Sequence, residues 1–156
     1  MTTRPYQSAD ADPLARLFRR SVLELGPKDY SAAQVRAWAA RTPSADHLNS
    51  KVTRAGTLCL VHVDQHGQPS AFIVLAPEGH IDLLYCAPEA AGTGVASALY
   101  KAMEASARKA GLTRLETEAS EAARRFLAKH GFQCLHRRTF EIEGVEIHNY
   151  AMEKFL

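Results

Sequence analysis

The chain has 156 residues, 46% hydrophobic and 23% charged, with a formal net charge of +2. That is the size of one ordinary domain, with enough apolar residues for a buried core. The absence of a basic stripe or acidic run argues against nucleic-acid and membrane-surface partners, and no apolar run approaches the roughly 20 residues of a membrane helix. A small-molecule partner is therefore expected.

Cys59, Cys86 and Cys134 are far apart, and the first two sit in apolar, strand-like runs. There a reduced cysteine acts as a small hydrophobe, which suits a reducing cytoplasm better than a disulfide scaffold. The polar opening Thr2-Thr3-Arg4-Pro5 lacks the apolar core of a signal peptide behind it. No repeat or low-complexity linker breaks the chain, so residues 1–156 read as a single soluble, cytoplasmic domain.

A short strand is expected near Thr2 to Tyr6, followed by Ser8 and Asp10 as helix caps. Leu14, Leu17, Phe18, Val22 and Leu25 then recur at helical spacing until Gly26-Pro27. Ser31 caps a second helix carrying Val35 and Trp38, and a shorter one runs from Asp46 to Thr53. Thr57 to Asp64 and Ser70 to Pro77 read as a β-hairpin, with His80 to Cys86 as the third strand of the meander. Gly92 to Ala110 is the longest helix, with Val95, Leu99, Ala102, Met103 and Ser106 inward and Gly111 beyond its end. Leu112 to Ala119 is expected parallel to the strand before that helix. A helix from Glu121 to His130 and two final strands, Phe132 to Glu143 and Val145 to Phe155, complete the order β-α-α-α-β-β-β-α-β-α-β-β. This is an α/β (α+β) chain with a mixed sheet and helices packed on it.

The segment Ala91-Gly92-Thr93-Gly94-Val95-Ala96-Ser97 joins a strand to the long helix through two glycines. Glycine permits positive φ and close backbone approach, and the free N–H groups of a helix start face an anion with the helix dipole behind them. A pyrophosphate cradle and a plain structural turn both fit.

In its surroundings this stretch resembles the acetyl-CoA-binding motif of the GNAT superfamily of N-acetyltransferases, Q/R-x-x-G-x-G/A, following a strand that ends LLYCAP. The segments Ala119 to Phe126, Lys129-His130-Gly131-Phe132 and Tyr30 to Val35 with Trp38 also look like the family's. So does Asn149 to Lys154, which is similar to the last strand of a small bacterial branch. The resemblance implies a mostly antiparallel sheet of about seven strands, flanked by helices, with one splayed parallel strand pair. It implies acetyl-CoA as cosubstrate, direct attack by a primary amine of a small molecule or peptide, no metal and a homodimer. Ala91 departs from the usual Gln or Arg, and Leu127 stands where many relatives carry the tyrosine that protonates the CoA thiolate.

By the same resemblance, the backbone of Leu84, Tyr85 and Cys86 runs beside the thioester, and residues 91–97 hold the pyrophosphate. Ser120 stands where relatives place an asparagine near the pantetheine, or serves as a helix cap. His80 occupies the position of a family glutamate base, with Asp82 two residues on and so on the same strand face. An imidazole is a sensible base at neutral pH, though water can also deprotonate the amine. Tyr150 is the candidate replacement acid or a lining residue, and Tyr30 and Trp38 are candidates for the acceptor side or for packing. Arg124-Arg125 and Arg137-Arg138 read as solvated pairs, one of the former within reach of a cofactor phosphate. Three other readings stay open: a catalytically weak acyl-CoA-binding module, an O-acyltransferase, and a dinucleotide-binding domain. The last is disfavoured because five residues separate strand from glycines.

Overall fold

The computed structural model describes residues 2–156. Its strands are β1 (Thr2–Pro5), β2 (Leu58–Val63), β3 (Pro69–Leu75), β4 (Ile81–Cys86), β5 (Arg114–Ala119), β6 (Gln133–Ile142) and β7 (Val145–Phe155). The helices are α1 (Ala11–Leu25), α2 (Ala32–Ala39), α3 (Ala45–Val52), α4 (Val95–Lys109) and α5 (Glu121–Ala128). The element order is the expected one. None of these helices is long and apolar enough to cross a membrane.

Local chemistry sets the boundaries. Ser31 and Gln34 form a reciprocal capping box that opens α2, Ser31 Oγ accepting from the Gln34 N–H at 3.2 Å and Gln34 Oε1 from the Ser31 N–H at 2.9 Å. The long helix starts at Val95 and not at Gly92, because Gly92 and Gly94 hold φ of 75° and 90°, outside the helical region. Its inner stripe keeps Leu99 and Met103 but is completed by Tyr100 and Ala107, while Ser106 is half-buried. The Tyr100 ring packs on Phe126, His130 and Phe132, which rolls the helix towards α5.

The seven strands form two antiparallel sheets, ordered β1-β2-β3-β4 and β5-β7-β6. Helix α1 packs with α2 and α3 over one face, around Leu14, Phe18, Leu48, Val61 and Phe72. On the other, Leu99, Tyr100 and Met103 of α4 meet Ile73, Leu115 and Met152. Strand β3 serves both faces, Phe72 and Val74 one way and Ala71, Ile73 and Leu75 the other. A strand covered on both sides reads as the unbroken apolar run seen in the sequence.

The two sheets meet at the start of β4 and β5. His80 and Glu116 make one parallel bridge, the Glu116 N–H donates to the Gly79 carbonyl (3.0 Å), and Thr117 Oγ1 donates to the Ile81 carbonyl (2.8 Å). Gly79 has φ of 99°, and a Cβ there would collide with the Arg114 carbonyl oxygen, so this stitch admits only glycine. Beyond it β4 and β5 separate. The splayed parallel pair expected from the sequence is present.

Candidate functional site

The splay leaves one edge of β4 without a strand partner. In the β3–β4 register Ala71 faces Cys86, Phe72 faces Tyr85 and Ile73 faces Leu84, and the Ala87 N–H donates to the Ser70 carbonyl at 2.8 Å. Antiparallel pairs alternate between bonded and non-bonded positions, so Ala87 and Tyr85 direct their backbone groups at β3. Leu84 and Cys86 direct theirs into the wedge. Of the three residues considered for backbone contacts, the register favours these two, while the Tyr85 ring packs on Phe18 and Phe72.

Two clefts open from this wedge. The larger, about 290 Å³, follows Cys86, Ala91, Gly92 and Ala96 and is flanked by Lys28 and by the ion pair of Asp29 with Arg125. The smaller, about 140 Å³, lies between β4, β5 and the β6–β7 hairpin and presents the carboxylates of Asp82 and Glu118. Tyr30, Trp38, Leu84, Tyr85, Ser120 and Ala123 line both. The clefts therefore join at the β4 edge, one with Lys28 and the Asp29–Arg125 pair in its wall and the other with two carboxylates.

The glycine loop is built as a helix N-terminus facing open space. A Cβ at Gly92 or Gly94 would meet nothing within 4 Å, so these positions need glycine for backbone conformation and not for lack of room. The first N–H groups of α4 lack intrahelical acceptors and face outward. Not every side chain of the loop joins them: Thr93 and Val95 line a separate cleft on the α1 side, and Ser97 Oγ lies 3.2 Å from His130 Nε2. Ser120 serves as the cap of α5, its Oγ accepting from the Ala123 N–H at 3.3 Å, and still lines both clefts.

Tyr30 and Trp38 meet edge to face with centroids 5.5 Å apart at the junction. His80 and Asp82 do converge, Nε2 to Oδ1 3.6 Å, but only Asp82 lines the smaller cleft. His80 stands behind it among carboxylates, Nε2 2.9 Å from Glu118 Oε2 and Nδ1 3.5 Å from Glu116 Oε1. Asp82 also lies 3.4 Å from Lys51 Nζ. Tyr150 lines neither cleft. Its hydroxyl donates to Glu121 Oε1 at 2.6 Å.

Glu121, unremarked in the sequence, is the hub of this region. Its Oε1 is also 2.8 Å from Nε2 of His148, its Oε2 accepts from Arg124 at 3.2 Å, and its N–H donates to the Tyr30 hydroxyl. Burial opposes its charge, but the hydrogen bonds from Tyr150, His148 and Arg124 outweigh that and hold the carboxyl at about 2. The hydrogen bond to Glu121, then burial and that carboxylate's charge, raise the Tyr150 phenol. Of the arginines read as solvated, Arg137 is exposed, whereas Arg124 lies 4.4 Å over the Tyr150 ring, Arg125 makes paired bonds to Asp29, and Arg138 donates to Asn149. Alternation alone places His148 and Tyr150 on one face of β7, but nothing local announces Glu121 opposite them.

Neither Cys59 nor Cys86 is poised as a nucleophile. Burial pushes the Cys59 thiol up to about 12, and burial followed by the charge of Glu89 raises Cys86. Among the described residues no group of three His, Cys, Asp or Glu side chains is arranged to hold a metal ion.

The sequence and the fold match known proteins. Residues 27–154 match the family model described as an acetyltransferase (GNAT) domain. The chain belongs to the GNAT acetyltransferase family. Acetyl transfer is thus its reaction class. It is 32% identical over 149 residues to an uncharacterized N-acetyltransferase, YafP, of Escherichia coli K12, covering 96% of this chain and 92% of that one. Among solved structures, a GCN5-related N-acetyltransferase from Rhodopseudomonas palustris superposes with a TM-score of 0.89 at 34% identity, covering 99% and 95% of the two chains. The PaiA N-acetyltransferase of Thermoplasma acidophilum, solved with coenzyme A, shares the GNAT fold with a TM-score of 0.79 at 19% identity, covering 99% and 98%.

Proposed function

We propose that the protein, acting as one domain, transfers the acetyl group of acetyl-CoA to a primary amine of a small molecule or peptide by direct nucleophilic attack. The observation that carries this reading is the meeting, at the free edge of β4, of a cleft that runs to a helix N-terminus with a cleft lined by carboxylates. The larger cleft offers helix N–H groups and Lys28 to a polyanion, with Arg125 beside them tied to Asp29, and its floor offers the Leu84 and Cys86 backbone to a linear amide chain. The smaller offers Asp82 and Glu118 to an ammonium. The acetyl carbonyl then lies at the shared residues, where the Leu84 N–H supplies a donor for the oxyanion.

An ammonium held at Asp82 and Glu118 loses one proton to His80 through the carboxylates or water between them. The free amine forms the C–N bond as the C–S bond breaks, and the nitrogen's second proton passes to the thiolate. The sum is amide, CoA thiol and one proton released. The raised Cys86 thiol fits direct attack better than an acyl-cysteine intermediate.

The test is thiol release from acetyl-CoA across panels of amines and alcohols, with the product identified by mass. An N-acetyl product upholds the reading. Turnover with alcohols alone makes the chain an O-acyltransferase, and binding of acetyl-CoA without turnover makes it a silent binding module.

A further inference from the structure

The smaller cleft has a composition that narrows the acceptor. Trp38, Leu83, Phe140, Ile142 and Ile147 supply its apolar wall, with Thr117, Ser120 and Asn149 as uncharged polar residues beside them. Its charged side chains are the carboxylates Asp82 and Glu118, and neither lysine nor arginine lines it. The one imidazole in the wall, His148, has Nε2 on Glu121 Oε1, and that carboxylate already answers any charge the ring takes on. Arg138 and Lys51 stand just outside the lining, Arg138 bonded to Asn149 and 5.5 Å over Phe140, and Lys51 3.4 Å from Asp82.

We infer that the acceptor is an amine carried on an apolar body about the size of one aromatic ring, bearing no carboxylate or phosphate. This rests on the amine-acetylation reading and deepens it. Three physical facts support it. A cavity of about 150 Å³ takes a guest the size of benzene, and this half-open cleft measures about 140 Å³. An anion on the acceptor would meet two carboxylates in the lining, while Arg138 and Lys51 outside it are each already paired with a polar group of the wall. A polyamine without a ring leaves the five apolar walls in contact with water. The same wall explains why the cleft can hold an ammonium at its Asp82 and Glu118 end while the skeleton lies against Phe140 and Ile147.

The experiment compares kcat/KM for four amines at saturating acetyl-CoA: phenethylamine, phenylalanine, 1,2-diaminoethane and spermidine. Phenethylamine should exceed each of the others by about tenfold or more, the scale on which a pocket separates substrates by an apolar group or an uncompensated charge. In Asn149→Lys, which places a cation in the lining at an already half-buried polar position, the ratio should shift towards phenylalanine. That shift is not produced by a general loss of folding, which would lower all four alike. Phenylalanine or spermidine equal to or better than phenethylamine in the wild type overturns the inference and leaves amine acetylation standing. No turnover of any of the four, with acetyl-CoA bound, overturns the amine reading and this inference with it.

Discussion

Replacing Glu121 by glutamine keeps the shape of the hub and removes its charge. The carboxyl sits at about 2 in the folded chain against an ordinary 4.5. A folded value below the unfolded one stabilises the fold above the unfolded value, and that contribution is lost as pH falls through the folded value. A difference of about 2.5 units corresponds to roughly 3 kcal/mol at most at pH 7. The side chain is 16% exposed beside an open cleft, so solvent screening brings the expected effect to about 1–2 kcal/mol. Urea unfolding of wild type and Glu121→Gln should then differ by that amount at pH 7, and the gap should shrink by about half or more on going to pH 3. A gap that stays constant from pH 7 to pH 3 would falsify the charge argument and leave Glu121 as a shape-filling side chain.

Three further outcomes follow from the site. Gly94→Val forces a β-branched residue to a φ of 90° at the head of α4, so calorimetry should show acetyl-CoA binding abolished; unchanged affinity would remove the loop from the cofactor site. Tyr150→Phe should lower kcat by less than about threefold, because its proton is committed to Glu121, whereas a fall of roughly 10²- to 10⁴-fold would identify it as the acid that Leu127 cannot be. His80→Ala should lower kcat/KM with acetyl-CoA affinity unchanged; undiminished kcat/KM in the variant would assign the proton to water.

The parts of the fold written in local chemistry were legible. Gly92 and Gly94 mark backbone that no other residue adopts at ease, Ser31 and Gln34 form a cap within four residues, and the apolar run of β3 announces a strand covered on both sides. The hub was not, because it depends on register. Ala119 pairs with Tyr150 across β5 and β7, which sets the end of β5 beside Tyr150 and so brings the first residue of α5, Glu121, over His148 and Tyr150. Residues 27 and 29 positions apart meet there with no sequence signal linking them. The position of His80 has a similar cause. The pairing of β3 with β4 slips between Leu83 and Ile81, a bulge around Asp82 that simple alternation along the strand does not foresee.

The glycine stitch at Gly79 has a further consequence. By joining the sheets at one end only, it leaves β4 with an open edge in the interior of the molecule, the kind of surface that ordinarily recruits a strand from another chain. Here the edge is recessed, with Tyr30 and Trp38 on one side and Ser120 and Ala123 on the other. A β-strand needs room for side chains on both faces as well as for its amides, and such walls admit a thin, unbranched chain in preference to it. The wedge thus acts as a thickness gauge, a recessed edge too narrow for a strand and open to a thinner chain.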